Sequence, residues 1–201
     1  MKALLLVDIQ NDFIPGGALA VPGGDEIIPT VNAILDKFEL VVATQDWHPA
    51  DHKSFASNHP GSSLFQRIDL NGLEQVLWPD HCIQSGTGAN FVQSLHQHRI
   101  ETIFRKGMDR EIDSYSGFYD NNRRRSTGLS QYLKGRGVKS LYIAGLAADY
   151  CVYYSVKDAL SEGFETILIE DATRAIDTQQ FESAKKDILV RGGKIIQSKA
   201  L

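Results

Sequence analysis

The chain has 201 residues, of which 42% are hydrophobic and 23% are charged, and its formal net charge is −4. This length supports one domain with a substantial core, and we expect a single domain over residues 1–201. The negative charge excludes a strongly basic surface for nucleic acid, and no apolar run approaches the roughly 18 residues of a membrane-spanning helix. We therefore expect neither nucleic acid nor a membrane as a partner, and the sequence leaves open whether the protein is a monomer or a homo-oligomer.

The first residues and the two cysteines bear on the cellular compartment. Residues 1–13 contain a short apolar run that Asp8 interrupts, without a small-residue cleavage site. They predict a strand rather than a signal peptide. Cys82 and Cys151 lie far apart in the chain and do not suggest a disulfide. Both features are typical of a protein in the reducing cytoplasm.

Predicted strands and helices alternate along the chain. Short continuous apolar runs predict strands at residues 3–7, 40–44, 101–104, 141–144, 166–169 and 194–197. Helical spacing and capping residues predict helices that follow Asp25, span 89–98, follow Ser126, follow Asp149 as N-cap, and run from Asp177 to Val190. Residues 49–87 and 108–125 are polar with little periodicity, and long segments of this kind usually carry function.

The alternation predicts an α/β fold that is doubly wound, with a mainly parallel six-stranded sheet and helices on both faces in a Rossmann-like three-layer arrangement. Ligands of such sheets bind beyond the carboxyl ends of the strands, at the point where the strand order reverses. Four reactive side chains each follow a separate predicted strand: Asp8, Asp46, Lys106 and Cys151. We expect them to converge on one crevice.

Three of these residues form a candidate nucleophile set. Cys151 lies near a predicted helix N-terminus, where the helix dipole and free N–H groups favour the thiolate. Asp8 is a candidate acceptor for the thiol proton and a donor to a leaving amine, and Lys106 is placed to stabilise both negative charges. The residues alone leave open the alternative of an Asp8–Lys106 ion pair beside an inert cysteine.

Backbone groups and aromatic rings near the same strand ends are candidate binding groups. The small-residue turn before the cysteine offers the N–H groups of Ala147, Ala148 and Cys151 as an oxyanion hole, although tight packing of helix on strand explains small residues equally well. Phe13, Trp78 and Tyr115 lie in predicted loops and are candidates to enclose a flat ring, with anchoring of the loops as the alternative.

Asp46 and His48 form a candidate metal site. Their side chains are two positions apart, so both point the same way from an extended strand end. His81 or His52 would complete a set of three ligands that leaves positions open for water. One carboxylate and two imidazoles suit Zn²⁺ and also Fe²⁺ or Mn²⁺, whereas solvated loop histidines are the simpler explanation of each residue alone.

Together these motifs resemble the isochorismatase-like cysteine hydrolases, and among them the nicotinamidases. The resemblance runs nearly from end to end, and the combination of motifs is specific although each motif alone is not. The resembling segments are Asp8-Ile9-Gln10-Asn11-Asp12-Phe13, Asp46-Trp47-His48-Pro49 with His52, Trp78-Pro79-Asp80-His81-Cys82, Lys106-Gly107, Asp113-Ser114-Tyr115-Ser116-Gly117-Phe118, and Leu146-Ala147-Ala148-Asp149-Tyr150-Cys151-Val152.

The resemblance implies an amidase that converts nicotinamide and water to nicotinate and ammonia in NAD salvage, and that accepts analogues of the pyrazinamide type. It implies a thioester on the cysteine, an oxyanion hole and one divalent metal ion, of which Zn²⁺ is favoured over Fe²⁺ or Mn²⁺. It also implies a cis peptide bond between Leu146 and Ala147. The implied site comprises the catalytic triad Asp8, Lys106 and Cys151, the oxyanion donors Ala147 and Cys151, the ring-flanking Phe13, Trp78 and Tyr115, and the metal ligands Asp46, His48 and His81, with His52 as a candidate additional ligand.

Four alternatives remain at this point. A related amidase acting on another small amide or carbamoyl compound would use the same residues. Hydrolysis of isochorismate does not need the thiol, so the intact triad argues against it. A catalytically silent ligand-binding protein of the same fold would not need the triad. A structural zinc protein would lose its fold without metal.

Overall fold

Six parallel strands form the central sheet of the computed structural model, which describes residues 1–201. In chain order the strands of the molecule are β1 (Lys2–Val7), β2 (Leu40–Asp46), β3 (Arg67–Leu70), β4 (Leu73–Val76), β5 (Thr102–Lys106), β6 (Ser140–Leu146), β7 (Glu165–Arg174) and β8 (Lys194–Ile196). The sheet has the order β5-β2-β1-β6-β7-β8, while β3 and β4 pair as a separate antiparallel hairpin. The predicted six-stranded parallel sheet is confirmed.

Helices cover both faces of this sheet. They are α1 (Ile27–Ile34), α2 (Leu129–Gly135), α3 (Tyr153–Ser161) and α4 (Thr178–Val190). Alternate residues of β1 enter two separate cores, because successive side chains of a strand point to opposite faces. Leu4 and Leu6 join the core that contains α1, and Leu5 joins the core that contains residues of α2, α3 and α4. None of the helices combines the length and apolar character needed to span a membrane.

The position of β1 fixes where the chain reverses its order. β1 pairs in parallel with β2 on one side and with β6 on the other. β5 continues beyond β2, and β7 and β8 continue beyond β6. The carboxyl ends of β1, β2, β5 and β6 therefore meet at one edge, where a doubly wound sheet forms its crevice.

The hairpin of β3 and β4 lies within residues 49–87, for which no regular structure was predicted. Asn71 and Gly72 form its turn with φ of 57° and 83°, the positive values of the two-residue hairpin turn. The Asn-Gly pair was therefore the usable signal in this segment, and the expectation of an irregular loop was wrong there.

The helix predicted at residues 89–98 does not form. Only short 3₁₀ turns occur, at Thr87–Ala89 and Gln97–Arg99. The intervening backbone bonds to the segment after β1 instead, since Val92 N–H donates to the Ile9 carbonyl and Asn11 N–H to the Asn90 carbonyl. These long-range bonds replace the i to i+4 bonds that the sequence pattern suggested.

Two predicted helix caps were also wrong. Gly128, with φ of 88°, is the N-cap of α2, and Ser126 accepts a hydrogen bond from Gly128 N–H outside the helix. Asp149 does not cap the helix after β6; its carboxylate accepts from Ile176 N–H at 3.0 Å and Asp177 N–H at 2.8 Å. Asp177 does cap α4, as predicted.

Candidate active site

The four predicted reactive side chains meet at the edge where the sheet reverses its order. Asp8 follows β1, Asp46 ends β2 and Lys106 ends β5. Cys151 lies in a π-helical turn, Ala148–Val152, which joins β6 to α3. All four are buried. Their convergence follows from the parallel sheet, because the strand ends all face the same side.

Lys106 holds this cluster together. Its Nζ lies 2.9 Å from Asp8 Oδ2, 3.0 Å from Asp46 Oδ1 and 3.5 Å from the sulfur of Cys151. It also donates to the carbonyl of Ser114 at 2.9 Å. Burial alone would lower the pKa of Lys106, but the two carboxylates outweigh it and raise that pKa well above its usual range. The side chain is therefore a fixed positive charge beside the thiol.

The two oxygens of the Asp8 carboxylate have different surroundings. Oδ1 accepts a hydrogen bond of 2.7 Å from the Thr44 hydroxyl. Oδ2 is paired in charge with Lys106 but accepts no hydrogen bond of good geometry. Burial raises the pKa of Asp8, against the lowering effect of Lys106. Oδ2 is thus a buried basic oxygen with a free lone pair.

The thiol of Cys151 is not stabilised as a thiolate. Burial, helped by the charges of Asp8 and Asp46, raises the pKa of Cys151 well above its usual range, although Lys106 acts in the opposite direction. Any effect of the helix N-terminus in favour of the thiolate is outweighed by this burial. The thiol carries its proton at neutral pH, so a base must accept that proton when the sulfur attacks.

Asp46, His48 and His81 form a group of the kind that holds a metal ion. Their ligand atoms lie within 4.8 Å of one another, and Asp46 Oδ2 is 2.9 Å from His48 Nε2 and 3.4 Å from His81 Nε2. Burial would raise the pKa of Asp46, but His48 and Lys106 hold it well below its usual range. The carboxylate is therefore ionised, as a metal ligand must be.

The second nitrogen of each imidazole shows that a cation fits this group. His48 Nδ1 lies 2.9 Å from the carbonyl of Gly107, and His81 Nδ1 lies 2.7 Å from the carbonyl of Pro79. Since a carbonyl only accepts, each Nδ1 carries a proton, which leaves Nε2 as the nitrogen available to a cation. Both Nε2 atoms face the Asp46 carboxylate, an arrangement of ligand atoms that a bound cation satisfies.

His52 lies outside this group of three ligands. Its ring packs 4.3 Å from the ring of His48, and its ligand atoms form a second cluster with His48 and Asp113. Ser54 N–H donates to His52 Nδ1 at 3.1 Å, so the neutral ring carries its proton on Nε2. Burial lowers the pKa of His52 to about 4. The structure therefore places a neutral ring beside the ligand set rather than a fourth lone pair directed at it.

A pocket of about 340 Å³, including its open mouth, lies above Cys151. It contains the three predicted ring-binding aromatics, the nucleophile and oxyanion candidates Cys151 and Ala147, and the predicted metal ligands Asp46 and His81. The other four lining residues were not predicted as site residues. The lining comprises Phe13, Leu19, Asp46, Trp78, His81, Asp113, Tyr115, Ala147, Tyr150, Cys151 and Ile176. Two candidate metal ligands, Asp46 and His81, and the thiol thus share one pocket with a mostly apolar wall.

The aromatic wall is built from rings in edge-to-face contact. Trp78 lies 4.9 Å from Tyr150 and 6.3 Å from Tyr115, with interplanar angles of 87° and 84°. Gln75 Nε2 supports this wall from the hairpin, at 3.1 Å from Asp113 Oδ2 and 3.3 Å from the Tyr115 hydroxyl. A rigid wall of this type leaves a slot for a flat ring.

Two features define the turn that carries Cys151, a cis peptide bond and the contacts of Asp149. The Leu146–Ala147 peptide bond is cis, in agreement with the expectation from the resemblance. Asp149 ties the turn to the start of α4 through the two N–H groups that it accepts. Asp149 belongs to the turn, but only the fold shows that its partners are residues 176 and 177.

Sequence reasoning missed three supporting residues near the cluster. Gln10 donates to the Asp46 carbonyl at 2.9 Å and accepts from Asp46 N–H at 2.8 Å, so it fixes the end of β2. Thr44, which bonds to Asp8, and Gln75, which bonds to Tyr115, are the other two supporting residues that were missed. Gln10 belongs to the recognised opening motif, and the Asn-Gly turn would have placed Gln75 on a strand. Thr44 carries no signal in sequence, because its role depends on the pairing of β1 with β2.

A thiol, a buried carboxylate and a lysine at the reversal point of a parallel sheet define the class of α/β cysteine hydrolases. The model of the isochorismatase domain matches residues 2–200, and the chain belongs to the isochorismatase family. Nicotinamidases of Escherichia coli and Acinetobacter baylyi are each 46% identical to the chain; these alignments cover 91% and 98% of the chain and 87% and 92% of the relatives.

Solved structures are similar over nearly the whole chain. The Acinetobacter baumanii nicotinamidase pyrazinamidease is 46% identical with a TM-score of 0.96, and the match covers 99% of this chain and 97% of that one. The pyrazinamidase of Pyrococcus horikoshii, in complex with zinc, is 40% identical with a TM-score of 0.80 and 98% coverage of both chains. The yeast nicotinamidase bound to the inhibitor nicotinaldehyde is 30% identical with a TM-score of 0.92, covering 98% and 100%.

Proposed function

We propose that this protein is a nicotinamidase, which hydrolyses nicotinamide to nicotinate and ammonia and so serves NAD salvage. The observation that carries the proposal is the contact of one buried ammonium, Lys106 Nζ, with both Asp8 and Cys151 beside a ring-sized pocket. The identity of 46% to nicotinamidases over nearly the full chain supports the same conclusion. Amides of the pyrazinamide type are expected substrates because they present the same flat ring and carboxamide.

In the first half of the reaction, Asp8 Oδ2 accepts the proton of the Cys151 thiol while the sulfur bonds to the carboxamide carbon. The electron pair of the C=O bond moves to oxygen, where the N–H groups of Ala147 and Cys151 stabilise it. When the C=O bond re-forms, the C–N bond breaks and Asp8 returns the proton to the leaving ammonia. A thioester on Cys151 remains.

In the second half, Asp8 accepts a proton from a water molecule that attacks the thioester carbon. The C–S bond then breaks, and Asp8 returns the proton to the sulfur. The product leaves as nicotinic acid, which loses its proton to water to give nicotinate, and the thiol is restored. Lys106 remains charged throughout, since its pKa lies well above its usual range, and it stabilises the negative charge on Asp8 or sulfur at each stage.

The substrate ring occupies the slot bounded by Phe13, Trp78 and Tyr115. These rings exclude water from the thiol. They also orient the pyridine ring, because edge-to-face or offset contact between aromatic rings is the most favourable in energy. The sulfur and the candidate metal ligands Asp46 and His81 line the same pocket, so that a carboxamide and a ring nitrogen are bound together.

A divalent metal ion fits on Asp46, His48 and His81, with Zn²⁺ favoured over Fe²⁺ or Mn²⁺. The donor set of one carboxylate and two neutral imidazoles supports this assignment, as does the zinc complex of the Pyrococcus horikoshii relative. When bound, the ion supplies a Lewis acid for the pyridine nitrogen. The ring of His52 packs against the ring of His48, and His52 is the weaker candidate for a further ligand.

We also infer a single hydrolase domain over residues 1–201 and a cytoplasmic location. The family match over residues 2–200 supports the first inference. The free thiols of Cys82 and Cys151 support the cytoplasmic location, since such thiols are commonly oxidised to disulfides in secreted proteins. A related amidase acting on another small amide or carbamoyl compound, or a catalytically silent relative, remains an outcome of the experiment below.

Ammonia release from a panel of small amides by the wild type, Cys151→Ala and Cys82→Ala tests the proposal. Cys82 is the matched control, because it is also a buried free thiol but has no contact with Lys106. We expect nicotinamide to be the preferred substrate and pyrazinamide to be hydrolysed. Cys151→Ala should lose turnover by about 10³-fold or more while still binding nicotinamide in a calorimetric titration, and Cys82→Ala should retain it.

A thioester should be visible as an acyl adduct on Cys151 in mass spectra of acid-quenched enzyme. Ammonia release by Cys151→Ala at the wild-type rate would contradict the covalent scheme. A wild type that binds nicotinamide without releasing ammonia would support the silent relative, and preference for a carbamoyl compound would identify the other amidase.

A further inference from the structure

We propose that Thr44 is a positioning residue for proton transfer, which assigns the two oxygens of Asp8 to different tasks. The inference rests on the proposed amidase chemistry. The Thr44 hydroxyl holds Oδ1, and Oδ2 is thereby left as the oxygen that exchanges protons with Cys151, the substrate and water. Thr44 itself touches neither the pocket nor the sulfur.

The contact between the two residues is short and fully buried. The Thr44 hydroxyl donates to Asp8 Oδ1 at 2.7 Å, and both residues have no exposed surface. A hydroxyl hydrogen bond to a buried carboxylate is stronger than one between neutral groups and fixes the rotation of the carboxylate about its last bond. Oδ2 is then held 2.9 Å from Lys106 Nζ, beside the sulfur.

The lysine does not occupy the lone pair that the thiol proton needs. An ammonium has three protons, and Lys106 uses hydrogen bonds of good geometry for Asp46 Oδ1, the Ser114 carbonyl and the Cys151 sulfur. Asp8 Oδ2 lies 2.9 Å from the same ammonium as an ion pair that falls outside good hydrogen-bond geometry. If the carboxylate rotated, Oδ2 would no longer be held beside the sulfur, and the base would be misplaced for the thiol proton.

Asp8 needs such support because its backbone is unusual. Its φ is 48°, in the left-handed region that residues other than glycine rarely adopt. A backbone of this kind persists where neighbouring contacts determine it. The Thr44 hydroxyl on β2 and Lys106 on β5 supply those contacts from two different strands.

The orientation of Thr44 is itself fixed. A Cβ placed on Gly117 would lie 2.6 Å from the Thr44 methyl carbon, so the absence of a side chain at Gly117 makes room for that methyl. Gly117 is held in place because its N–H donates to the Ser155 hydroxyl at 2.9 Å. With the methyl seated there, the hydroxyl points to Asp8.

The experiment compares Thr44→Val, which keeps the shape and loses the hydroxyl, with Thr44→Ser, which keeps the hydroxyl. Thr166→Val is the matched control: Thr166 is a buried strand threonine that donates to the Phe164 carbonyl at 3.0 Å at the start of β7, away from the site. We expect kcat for nicotinamide to fall about 10–100-fold in Thr44→Val, with KM within about twofold. Thr44→Ser should stay within about threefold of the wild type, and Thr166→Val should be unchanged.

Alkylation of Cys151 by iodoacetamide gives a second readout that needs no substrate. The rate at neutral pH should fall about tenfold in Thr44→Val and should recover in Thr44→Ser. If Thr44→Val does not fold, Thr44→Ala is measured instead, with the same expectation. Failure of the wild type to hydrolyse nicotinamide would refute the proposed function but leave the alkylation test valid.

Two results would overturn the positioning role. One is a kcat and an alkylation rate in Thr44→Val within twofold of the wild type. The other is an equal loss in Thr44→Ser and Thr44→Val, which would show that packing rather than the hydroxyl matters at this position.

Discussion

Replacing Lys106 by methionine removes a buried charge while keeping a side chain of similar length. The lysine side chain has no exposed surface, nor does that of Asp8, and that of Asp46 is 5% exposed. At 2.9 Å, two unit charges attract by roughly 6 kcal/mol for an effective dielectric constant of about 20. Breaking a buried pair by removing one partner typically costs about 3–5 kcal/mol, because the remaining charge stays buried without compensation.

We therefore expect Lys106→Met to lose about 3–5 kcal/mol of unfolding free energy, or roughly 6–20 °C in Tm for a protein of this size. Lys185→Met is the matched control. Lys185 also contacts two carboxylates, Glu170 at 2.7 Å and Glu182 at 2.6 Å, but these pairs lie at the surface. Such pairs contribute about 0–1 kcal/mol, so the control should change little.

Urea unfolding in the presence of a chelator measures both variants without a metal ion that could replace the lost charge. The double variant Lys106→Met/Asp8→Asn should recover part of the loss, because it removes one of the uncompensated carboxylates. The reasoning is refuted if Lys106→Met is no less stable than Lys185→Met, or if the double variant loses the sum of its two single losses.

Three further predictions concern the pocket, the surface and the metal group. Gln75→Leu removes a hydrogen bond to the Tyr115 hydroxyl and should raise KM for nicotinamide about fivefold, the equivalent of about 1 kcal/mol, with little change in kcat; an unchanged KM in steady-state assays would contradict this. Glu162 has its pKa lowered to about 2, first by Lys134, from a reference value of 4.5. Its contribution to stability should therefore be complete above about pH 4.5 and disappear as the pH falls towards 2, so urea midpoints of the wild type and Glu162→Gln should converge over that range, and a constant difference would refute it. A chelator should weaken nicotinamide binding while leaving the far-ultraviolet circular dichroism unchanged, because the metal group lies at the edge of the sheet and outside both cores; unfolding would instead indicate structural zinc.

The reactive cluster could be predicted from the sequence because it depends on one simple rule. Strands that read as continuous apolar runs belong to a parallel sheet, and their carboxyl ends share one edge. Asp8, Asp46, Lys106 and Cys151 needed only correct strand positions to be brought together. The raised pKa of Cys151 could not be predicted, because its main cause is burial, which the sequence does not measure.

Groups whose partners are distant in sequence could not be predicted in this way. Asp149 looked like a helix cap, but residues 176 and 177 compete successfully for its carboxylate. Residues 89–98 had helical spacing, but their backbone pairs with the segment after β1. In both cases a long-range hydrogen bond replaced the local one that the pattern favoured.

The hairpin was a different kind of omission, since Asn71-Gly72 is a strong local signal. The residues before it, Arg67–Leu70, alternate polar and apolar as a strand with one buried face does. The surrounding Pro, Gly and Ser made the whole segment look irregular. Because the hairpin was not predicted, Gln75 and its hydrogen bond to the Tyr115 hydroxyl were not predicted either.

The placement of Lys106 has a consequence for how the protein acquires its activity. Its contacts with Asp46 and Cys151 join positions 60 and 45 residues apart in the chain. Contacts of this separation form late, because the entropy of closing long loops must be overcome before they stabilise anything. The lysine can reach its partners only after β5 has paired with β2 and β6 has paired with β1. Recovery of amidase activity during refolding should therefore coincide with completion of the central sheet. The amidase assay would then measure the last stage of folding directly.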